Sequence, residues 1–420
     1  MNEKIILSRS AYLDELERHR VANDLIKIVT GVRRCGKSTL LKIFSEKLRS
    51  EGVKDEQIIT INMEDFANRS FLDGAKLHQH VEARILKNKI NYVILDEVQL
   101  VSNFSEVINS LRLKENIDLY VTGSNSSLLS ARLPKILGGR YIQIHMLPLS
   151  FKEYFDSFNN PDKSSIDYIF QQYIEFGSFP ETLTYRTNMD KEGMYEYLSH
   201  IYESIIMRDV MQNDDVKELP QLTRVVNFLF SNIGSETSIN NMLGVINNEF
   251  KLKPTDKNLY APILEKYLQA LLDSFIFYKA EKQYLNGKEL LRTNAKYYAV
   301  DVALRYHLLG GTTEKDAGHL LENIVYLELL RRGYKIKIGK TGTKEIDFVA
   351  QKPGGKIEYY QVSMTVIDEK TLERELEPLQ VIKDNHPKFL LTRDHDHNNY
   401  RGIQHINVLE WLLNGKHPAR

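Results

Sequence analysis

The sequence has 420 residues, of which 42% are hydrophobic and 27% charged, and its 56 basic side chains are matched by 56 acidic ones. This length exceeds one ordinary hydrophobic core, so we expect two or three domains. The zero net charge argues against a protein that coats nucleic acid through overall positive charge, and it leaves room for a local basic face. The single cysteine, Cys35, excludes an internal disulfide framework.

The sequence also argues against a membrane or secreted location. Its longest apolar runs, such as residues 92–95, are far shorter than the roughly 20 residues that span a bilayer. The apolar run near the N-terminus, residues 5–7, is too short for a secretory signal. We therefore expect a cytoplasmic protein without a membrane partner.

In the first third of the chain, short apolar segments alternate with helical patterns. The apolar segments predict strands at residues 25–30, 57–62, 91–95, 117–122 and 140–146. Leucines and a phenylalanine recur at helical spacing between residues 40 and 48, directly after the first strand. This alternation predicts an α/β domain, residues 1–150, with a parallel sheet covered by helices on both faces.

The rest of the chain divides into three further expected parts. Residues 151–220 have helical patterns rich in Tyr and Phe and are expected to form a helical lid. Residues 221–310 contain three helical patterns and then a strand pair at 276–283 and 296–300, an order typical of a winged helix. In residues 311–420 the order is αβββαβ, with strands at 335–338, 345–350, 357–362 and 388–391, which predicts a separate α/β domain.

The strongest motif lies between the first strand and its helix. It matches the phosphate-binding pattern G-x-x-x-x-G-K-[ST] and comprises Gly31, Val32, Arg33, Arg34, Cys35, Gly36, Lys37, Ser38 and Thr39. The glycines let backbone N–H groups close around phosphates, and the helix start directs its positive dipole end at the same anion. Lys37 is expected to reach the β- and γ-phosphates of ATP, and Ser38 to ligate Mg²⁺. A chance match in a glycine-containing turn is the alternative.

A second motif follows the strand at residues 91–95. Asp96 and Glu97 come at the carboxyl end of this buried strand, where ligands bind in parallel sheets. We expect Asp96 to hold Mg²⁺ and Glu97 to orient the attacking water, a role that hydrolysis needs and binding alone does not. The alternative is a solvated acidic turn.

Two further sets of polar residues are candidates for the ATP site. Ser124 and Asn125 end the next strand and are candidate sensors of the γ-phosphate, with a simple strand cap as the alternative. Arg140 and Arg208 are candidates for stabilising charge in the transition state, from the same subunit or from a neighbouring copy, with a surface ion pair as the alternative. At Cys35, the alternatives are a reactive thiol and a small tolerated loop residue.

These motifs together resemble a prokaryotic group of AAA+-type ATPases that carry a C-terminal domain of unknown function. Further matching segments are residues 148–154, 176–181, 208–209, 321–323, 345–348 and 361–362. The resemblance spans the chain and implies a P-loop fold with sheet order 5-1-4-3-2, a helical lid and a winged helix. It also implies ATP hydrolysis, and it indicates little about the biological role.

The αβββαβ segment resembles the PD-(D/E)xK nuclease fold, in which carboxylates hold Mg²⁺ against a phosphodiester and a lysine assists the attacking water. Glu322 and Asp347 occupy matching positions, but the third strand carries Gln361 and Ser363 where Glu-x-Lys is expected. This departure predicts a degenerate, inactive nuclease-like site. A plainer alternative pairs Asp347 and Glu345 with a nearby lysine such as Lys344.

Three functions remain open from the sequence. The first is an ATPase whose nucleotide state switches contacts with DNA or a protein partner. The others are an ATP-regulated nuclease and a nucleotide-dependent interaction module with little turnover. A modest basic face for DNA is expected around the last helix of the winged-helix segment and its strand pair, with Lys251, Lys253, Lys257, Lys266, Lys279 and Lys282. A homo-oligomer is expected if an arginine acts in trans.

Overall fold

The computed structural model describes residues 5–126, 132–158, 165–211, 216, 218–250, 257–285, 294–311 and 316–414. The chain forms two compact units. One comprises residues 6–148 with 273–275, and the other comprises residues 1–5, 149–272 and 276–420. Two of the expected basic residues, Lys251 and Lys253, lie outside the described residues.

The first unit alternates strands and helices in the predicted order. Its helices are α1 (Ser10–Arg18), α2 (Lys37–Ser50), α3 (Gly74–Arg84), α4 (Phe104–Arg112) and α5 (Arg132–Leu137). Its strands are β1 (Ile26–Thr30), β2 (Ile58–Asn62), β3 (Asn91–Asp96), β4 (Ile117–Gly123) and β5 (Tyr141–His145). All pairings are parallel, and the order β2-β3-β4-β1-β5 confirms the expected α/β fold and its 5-1-4-3-2 sheet.

The three central strands of the first unit's sheet are buried along their whole length. Every residue of β1, β3 and β4 is buried, as expected for central strands covered by helices on both faces. The one charged side chain in β1, Lys27, forms a buried ion pair with Asp118 of β4 and donates a hydrogen bond to the Ala22 carbonyl at 2.8 Å. The carboxyl ends of β1, β3 and β4 therefore meet at one rigid sheet edge.

The second unit begins with helices and continues into a mixed sheet. Its helices are α6 (Phe151–Asp156), α7 (Ile166–Phe176), α8 (Thr182–Thr187), α9 (Lys191–Ile205), α10 (Leu219–Ser231), α11 (Ile239–Phe250), α12 (Lys257–Asp273), α13 (Val302–Leu309), α14 (Ala317–Arg331), α15 (Glu369–Gln380) and α16 (Val408–Asn414). Its strands are β6 (Glu236–Thr237), β7 (Phe277–Tyr284), β8 (Ala295–Ala299), β9 (Lys335–Thr341), β10 (Lys344–Gln351), β11 (Ile357–Val362), β12 (Lys388–Thr392), β13 (Asn399–Tyr400) and β14 (Ile403–Asn407). A π-helical turn, Ile206–Val210, continues α9.

These strands share one nine-stranded sheet, in the order β13-β14-β12-β11-β10-β9-β7-β8-β6. The antiparallel pair β7–β8, expected in a winged helix, is joined to the C-terminal strands because β7 runs parallel to β9, with Lys282 opposite Ile338. The sequence did not predict this pairing, nor β13, β14 and α16. The division of this unit into a lid, a winged helix and a nuclease-like domain stays a prediction.

Candidate ATP site

The phosphate-binding motif, residues 31–39 and hereafter the P-loop, connects β1 to α2 at the carboxyl edge of the first sheet. Gly31 has φ of 150° and Gly36 has φ of 106°, backbone angles that residues other than glycine rarely adopt. A Cβ atom on Gly31 would lie 2.1 Å from the carbonyl oxygen of Met146, so only glycine fits there. Gly36 directly precedes Lys37, the first residue of α2. The loop is thus shaped by backbone geometry for close approach to a ligand, as the motif predicts.

Within this loop, the side chains divide into an inward and an outward set. Lys37 is buried, and its ammonium donates to the carbonyls of Gly31 at 3.0 Å and Val32 at 3.2 Å. Ser38 and Thr39 are exposed at the start of α2. The anionic phosphates of a nucleotide bound at the start of α2 would accept hydrogen bonds from the α2 backbone amides and from the Lys37 ammonium.

Asp96 lies at the end of β3 and contacts both neighbouring elements. Its carboxylate accepts hydrogen bonds from the hydroxyl of Thr122 in β4, at 2.5 Å, and from the side chain of Ser38 in α2. Burial raises the pKa of Asp96, and these two hydrogen bonds offset the increase in part. Ser38 and Asp96 are thus adjacent, and their oxygen donors suit a hard cation such as Mg²⁺.

The next residue, Glu97, has a left-handed backbone with φ of 55° and ψ of 47°. This sparsely populated conformation is held by Thr122, whose hydroxyl accepts the Glu97 backbone N–H at 2.8 Å. The Glu97 carboxylate lies 3.7 Å from the Lys37 ammonium and accepts a hydrogen bond from the Gln99 side chain. Burial alone would raise the pKa of Glu97, but Lys37, Gln99 and Arg33 outweigh it and hold that pKa below its usual value. Glu97 is therefore ionised at neutral pH and able to accept a proton.

Of the two candidate sensors, the structure joins Ser124 to this cluster. Ser124 is fully buried, and its side chain hydrogen-bonds to Glu97. The Gln99 amide nitrogen also lies 3.4 Å from the Ser124 hydroxyl. Asn125 follows Ser124 and is half-buried. Ser124 therefore contacts the expected water-orienting residue, and the role of either residue as a sensor stays a prediction.

Three other P-loop side chains, Arg33, Arg34 and Cys35, differ in burial and in their partners. Arg33 forms an ion pair with Glu64 at 2.6 Å, and Arg34 is exposed. Cys35 is fully buried, and burial raises the pKa of its thiol even though Lys37 and Arg9 lower it. A protonated, inaccessible thiol is a poor nucleophile, so the geometry favours a packing role for Cys35 over a reactive one.

Of the two candidate arginines, Arg140 lies in the same unit as this cluster and away from it. Arg140 precedes β5, and its carbonyl accepts the N–H of Ile26 at the amino end of β1. Because the P-loop leaves the carboxyl end of β1, the backbone of Arg140 is roughly 15 Å away along the strand. The structure thus does not support the expectation that Arg140 acts within its own subunit. Arg208 is exposed on the π-helical turn of the second unit.

Arg9, which the sequence did not single out, contacts the backbone of the P-loop. Arg9 is buried, and its guanidinium donates to the carbonyls of Cys35 at 3.1 Å, Leu147 at 2.6 Å and Pro148 at 3.2 Å. It also lies over the Tyr12 ring, 4.9 Å from the centroid. Arg9 therefore ties the P-loop to the segment after β5, and a charged residue near the N-terminus gives no local signal of this role.

The nuclease-like positions in the second unit surround a lysine. The Lys296 ammonium in β8 lies 2.9 Å from Glu322 in α14, 2.9 Å from Glu345 in β10 and 3.8 Å from Asp347 in β10. Gln361 donates to Glu375 at 2.9 Å, and Val362 N–H donates to Asp347 at 2.9 Å. Lys344, expected as the partner of these acids, instead pairs with Glu377.

This arrangement does not fit a divalent metal site. Burial and the neighbouring Glu322 raise the pKa of Asp347 well above its usual value, although Lys296 opposes this. The ammonium of Lys296 already lies among the carboxylates that would hold the ion. Among the residues that the structure describes, no group of three or more His, Cys, Asp or Glu side chains is arranged to hold a metal ion.

The expected basic face of the second unit is weakened by internal pairing. Lys282 is almost fully buried and forms ion pairs with Glu236 and with Glu345, the latter at 3.8 Å. Lys279 pairs with Glu281 at 3.1 Å. Both lysines are therefore partly neutralised, which lowers the positive charge that this hairpin offers to a nucleic acid.

No helix within the described ranges is long and apolar enough to cross a membrane.

The fold and the residues at its sheet edge define a P-loop ATPase of the AAA+ class, and comparisons with known proteins agree. Residues 23–155 match the model of an AAA domain, and residues 168–315 match a domain of unknown function (DUF8612). An uncharacterized protein of Haemophilus influenzae is 36% identical over 98% of this chain and 99% of its own length. The chain therefore belongs to the family of AAA+-type P-loop ATPases that carry this second domain of unknown function.

Other similarities are more distant. The uncharacterized protein MJ1544 of Methanocaldococcus jannaschii is 28% identical, over 91% of this chain and 87% of its own length. Among solved structures, the Walker-type ATPase PABY2304 of Pyrococcus abyssi is 16% identical, with a TM-score of 0.49 over 72% of this chain and 96% of its own. DnaA of Aquifex aeolicus bound to AMPPCP is 18% identical, with a TM-score of 0.34 over 63% of this chain and 95% of its own. Structural likenesses this loose carry no information about partners.

Proposed function

We propose that this protein binds ATP with Mg²⁺ and hydrolyses it to ADP and phosphate. The observation that carries the proposal is the meeting of Lys37, Ser38, Asp96 and Glu97 at one sheet edge, with Glu97 ionised. A phosphate-binding loop alone would support nucleotide binding. A buried, ionised carboxylate next to that loop adds the group that hydrolysis requires.

In this proposal, each residue has a separate task. The P-loop amides and the Lys37 ammonium bind the β- and γ-phosphates, and the Lys37 contact with Glu97 gives way to the phosphate contact. Ser38 and Asp96 would hold Mg²⁺, which neutralises charge on the same phosphates. Asp96 is kept in position by Thr122, so its carboxylate is oriented before any ligand arrives.

Glu97 acts on the attacking water. It accepts a proton from that water while the water oxygen forms a bond to the γ-phosphorus. The bond between the γ-phosphorus and the bridging oxygen breaks, and its electron pair remains on ADP. In the nucleotide-free site, Lys37, Gln99 and Arg33 hold the pKa of Glu97 below its usual value, so the carboxylate is in its proton-accepting form at neutral pH when ATP binds.

Positive charge for the transition state is proposed to come from a second copy of the chain. Arg208 is the better candidate because it is exposed on a π-helical turn, a rare element that often marks functional positions. Arg140 is the other candidate in trans. An arginine acting in trans makes a homo-oligomer part of the proposal. An ATP turnover per chain that rises with protein concentration would support it.

We further propose that the nucleotide state switches contacts of the second unit with DNA or with a protein partner. The ATPase rate measured with and without duplex, branched and single-stranded DNA separates these partners. Stimulation by one DNA form supports a DNA-coupled switch, and equal rates in all cases favour a protein partner. A module that binds ATP with little turnover is the alternative, and the ionised Glu97 argues against it.

Cleavage of nucleic acid by the second unit is not part of the proposal. Lys296 pairs with the carboxylates that a nuclease would use for a metal, and Gln361 is engaged by Glu375. Mg²⁺-dependent cleavage of DNA or RNA that is lost in Asp347→Ala would overturn this view. Absence of cleavage in the wild-type chain is the expected result.

Nucleotide binding is tested through Lys37. We expect Lys37→Ala to weaken ATP binding at least 10-fold in calorimetric titration, since it removes a buried charge-assisted contact to phosphate. Lys42→Ala is the matched control, because Lys42 is an exposed lysine of the same helix. Unaltered affinity in Lys37→Ala would remove the P-loop assignment.

A further inference from the structure

We propose that Gln99 is a second water-orienting residue of the ATP site: its amide nitrogen fixes Glu97 and Ser124, and its amide oxygen accepts a hydrogen bond from the attacking water. This inference rests on the proposed hydrolysis of ATP. Gln99 lies in the 3-10 turn Val98–Leu100, directly after Glu97 and at the same sheet edge as the P-loop. The sequence includes it in a segment that resembles the ATPase family, residues 95–99, but indicates no role for it.

The orientation of the Gln99 amide follows from the chemistry of its neighbours. One end of the amide is within hydrogen-bond distance of the Glu97 carboxylate, and it is 3.4 Å from the Ser124 hydroxyl. An ionised carboxylate accepts hydrogen bonds and donates none. The end that faces Glu97 must therefore be the nitrogen, whose two protons serve Glu97 and Ser124.

Gln99 thereby determines which oxygen of Glu97 is available for the reaction. The oxygen Oε2 of Glu97 receives the Gln99 hydrogen bond, whereas Oε1 faces the Lys37 ammonium at 3.7 Å. When Lys37 turns to the phosphates of ATP, Oε1 loses that neighbour while Oε2 stays held. The carboxylate cannot rotate freely, so Oε1 is presented to a water at a fixed angle.

The other end of the amide, Gln99 Oε1, is buried and has no hydrogen-bond partner among the described residues. A buried acceptor without a partner costs free energy, so a ligand that donates a hydrogen bond here is favoured. The phosphates of ATP and the carboxylates of Asp96 and Glu97 are acceptors and cannot satisfy it. Water is the donor that the reaction itself brings to this place.

A water bound between Glu97 Oε1 and Gln99 Oε1 would have both of its protons engaged. Its oxygen lone pair would then be free to face the γ-phosphorus. Two acceptors fix the orientation of a water better than one, and this orientation is a recognised contribution to nucleotide hydrolysis. The neutral amide does this without adding charge, so Glu97 keeps its ionised form.

Two variants test the proposal. Gln99→Ala removes both ends of the amide, and we expect kcat to fall about 10- to 100-fold while the dissociation constant for ATP changes less than about twofold. Gln99→Glu keeps the size of the side chain and places a second carboxylate against Glu97. We expect the acidic limb of its kcat–pH profile to move to higher pH by about one unit or more. Gln57→Ala, which removes a glutamine that donates to the Ile90 carbonyl in the same unit, is the matched control.

The outcomes separate this inference from the proposed function. A wild-type chain that binds ATP without releasing phosphate overturns both. A hydrolysing wild-type chain with Gln99→Ala at the wild-type kcat, or with Gln99→Glu at an unchanged pH profile, overturns only the role of Gln99. Circular dichroism melting of each variant monitors folding, and a purely structural role of Gln99 would lower the melting temperature and weaken ATP binding in Gln99→Ala together with kcat.

Discussion

The ammonium of Lys37 lies 3.7 Å from the carboxylate of Glu97, and both side chains are almost fully buried. A buried charge without a partner is strongly unfavourable, and the Lys37 ammonium stabilises the ionised form of Glu97. ATP phosphates would replace Glu97 as the partner of Lys37 and release the carboxylate for water. The same ion pair that stabilises the nucleotide-free site therefore keeps the catalytic carboxylate ready.

Thr122 is predicted to be essential for the shape of this site. Its hydroxyl donates to Asp96 and accepts from the Glu97 backbone, which has a left-handed conformation. Thr122→Val keeps the side-chain volume and removes both bonds, so we expect a loss of about 1–3 kcal/mol in unfolding free energy and a clear drop in kcat. Thr60→Val, on an exposed position of β2, is the control. Thr122→Val with unchanged stability and rate would contradict the role of this hydroxyl.

Gly31 is predicted to tolerate no side chain. A Cβ atom would overlap the Met146 carbonyl oxygen, and φ is 150°. We expect Gly31→Ala to lower the free energy of unfolding by about 2 kcal/mol or more and to impair ATP binding. Gly52→Ala is the control, since Gly52 also has a positive φ but nothing lies within 4 Å of its Cβ position. Equal effects of the two substitutions in thermal unfolding would show that the steric contact is unimportant.

His145 is predicted to make the first unit sensitive to mild acid. Burial, with a smaller contribution from Lys37, lowers the pKa of His145 to about 4 in the folded chain. The unfolded chain takes up the proton near pH 6.5. The contribution of His145 to the free energy of unfolding is thus fully present above pH 6.5. It falls as the pH drops toward 4, because in this range only the unfolded state gains the proton. Between pH 7 and 5, wild type should lose about 2 kcal/mol more than His145→Gln in denaturant unfolding. A pH-independent difference between the two chains would refute this.

Lys296 is predicted to stabilise the fold of the second unit around the nuclease-like positions. It pairs with carboxylates of α14 and β10, which join the β7–β8 hairpin to the C-terminal strands. Lys296→Met leaves these acids without their cation, and we expect a loss of about 3–5 kcal/mol. Lys279→Met, an exposed lysine on the adjacent strand, should change little. If both variants unfold like wild type, the buried ion cluster does not stabilise this unit.

The sequence predicted the ATPase fold well because its signals are local. Apolar runs mark β1, β3 and β4, and the P-loop and Asp96–Glu97 fall at strand ends, where a parallel sheet brings them together. The strand order followed from the family resemblance. Boundaries differed by one residue or two, where polar side chains at the strand ends give no clear signal.

The residues that the sequence missed act through distant partners. Arg9 binds carbonyls of residues 26 and 138 positions away, and Lys296 pairs with acids on two other elements. A charged side chain in isolation indicates a solvated surface, so neither contact has a local pattern. Gln99 was missed for a related reason, since its role depends on the backbone turn that returns its amide to Glu97.

Phosphate release by the wild-type chain and by Glu97→Gln, at saturating ATP and Mg²⁺, tests the central claim most directly. We expect the wild-type chain to turn over ATP, and Glu97→Gln to bind ATP with similar affinity and hydrolyse it at least 100-fold more slowly. Glu106→Gln, an exposed acid of α4, is the control and should keep the wild-type rate. Equal turnover by wild type and Glu97→Gln would show that Glu97 does not activate the water, and no turnover by the wild-type chain would show that the protein is not an ATPase.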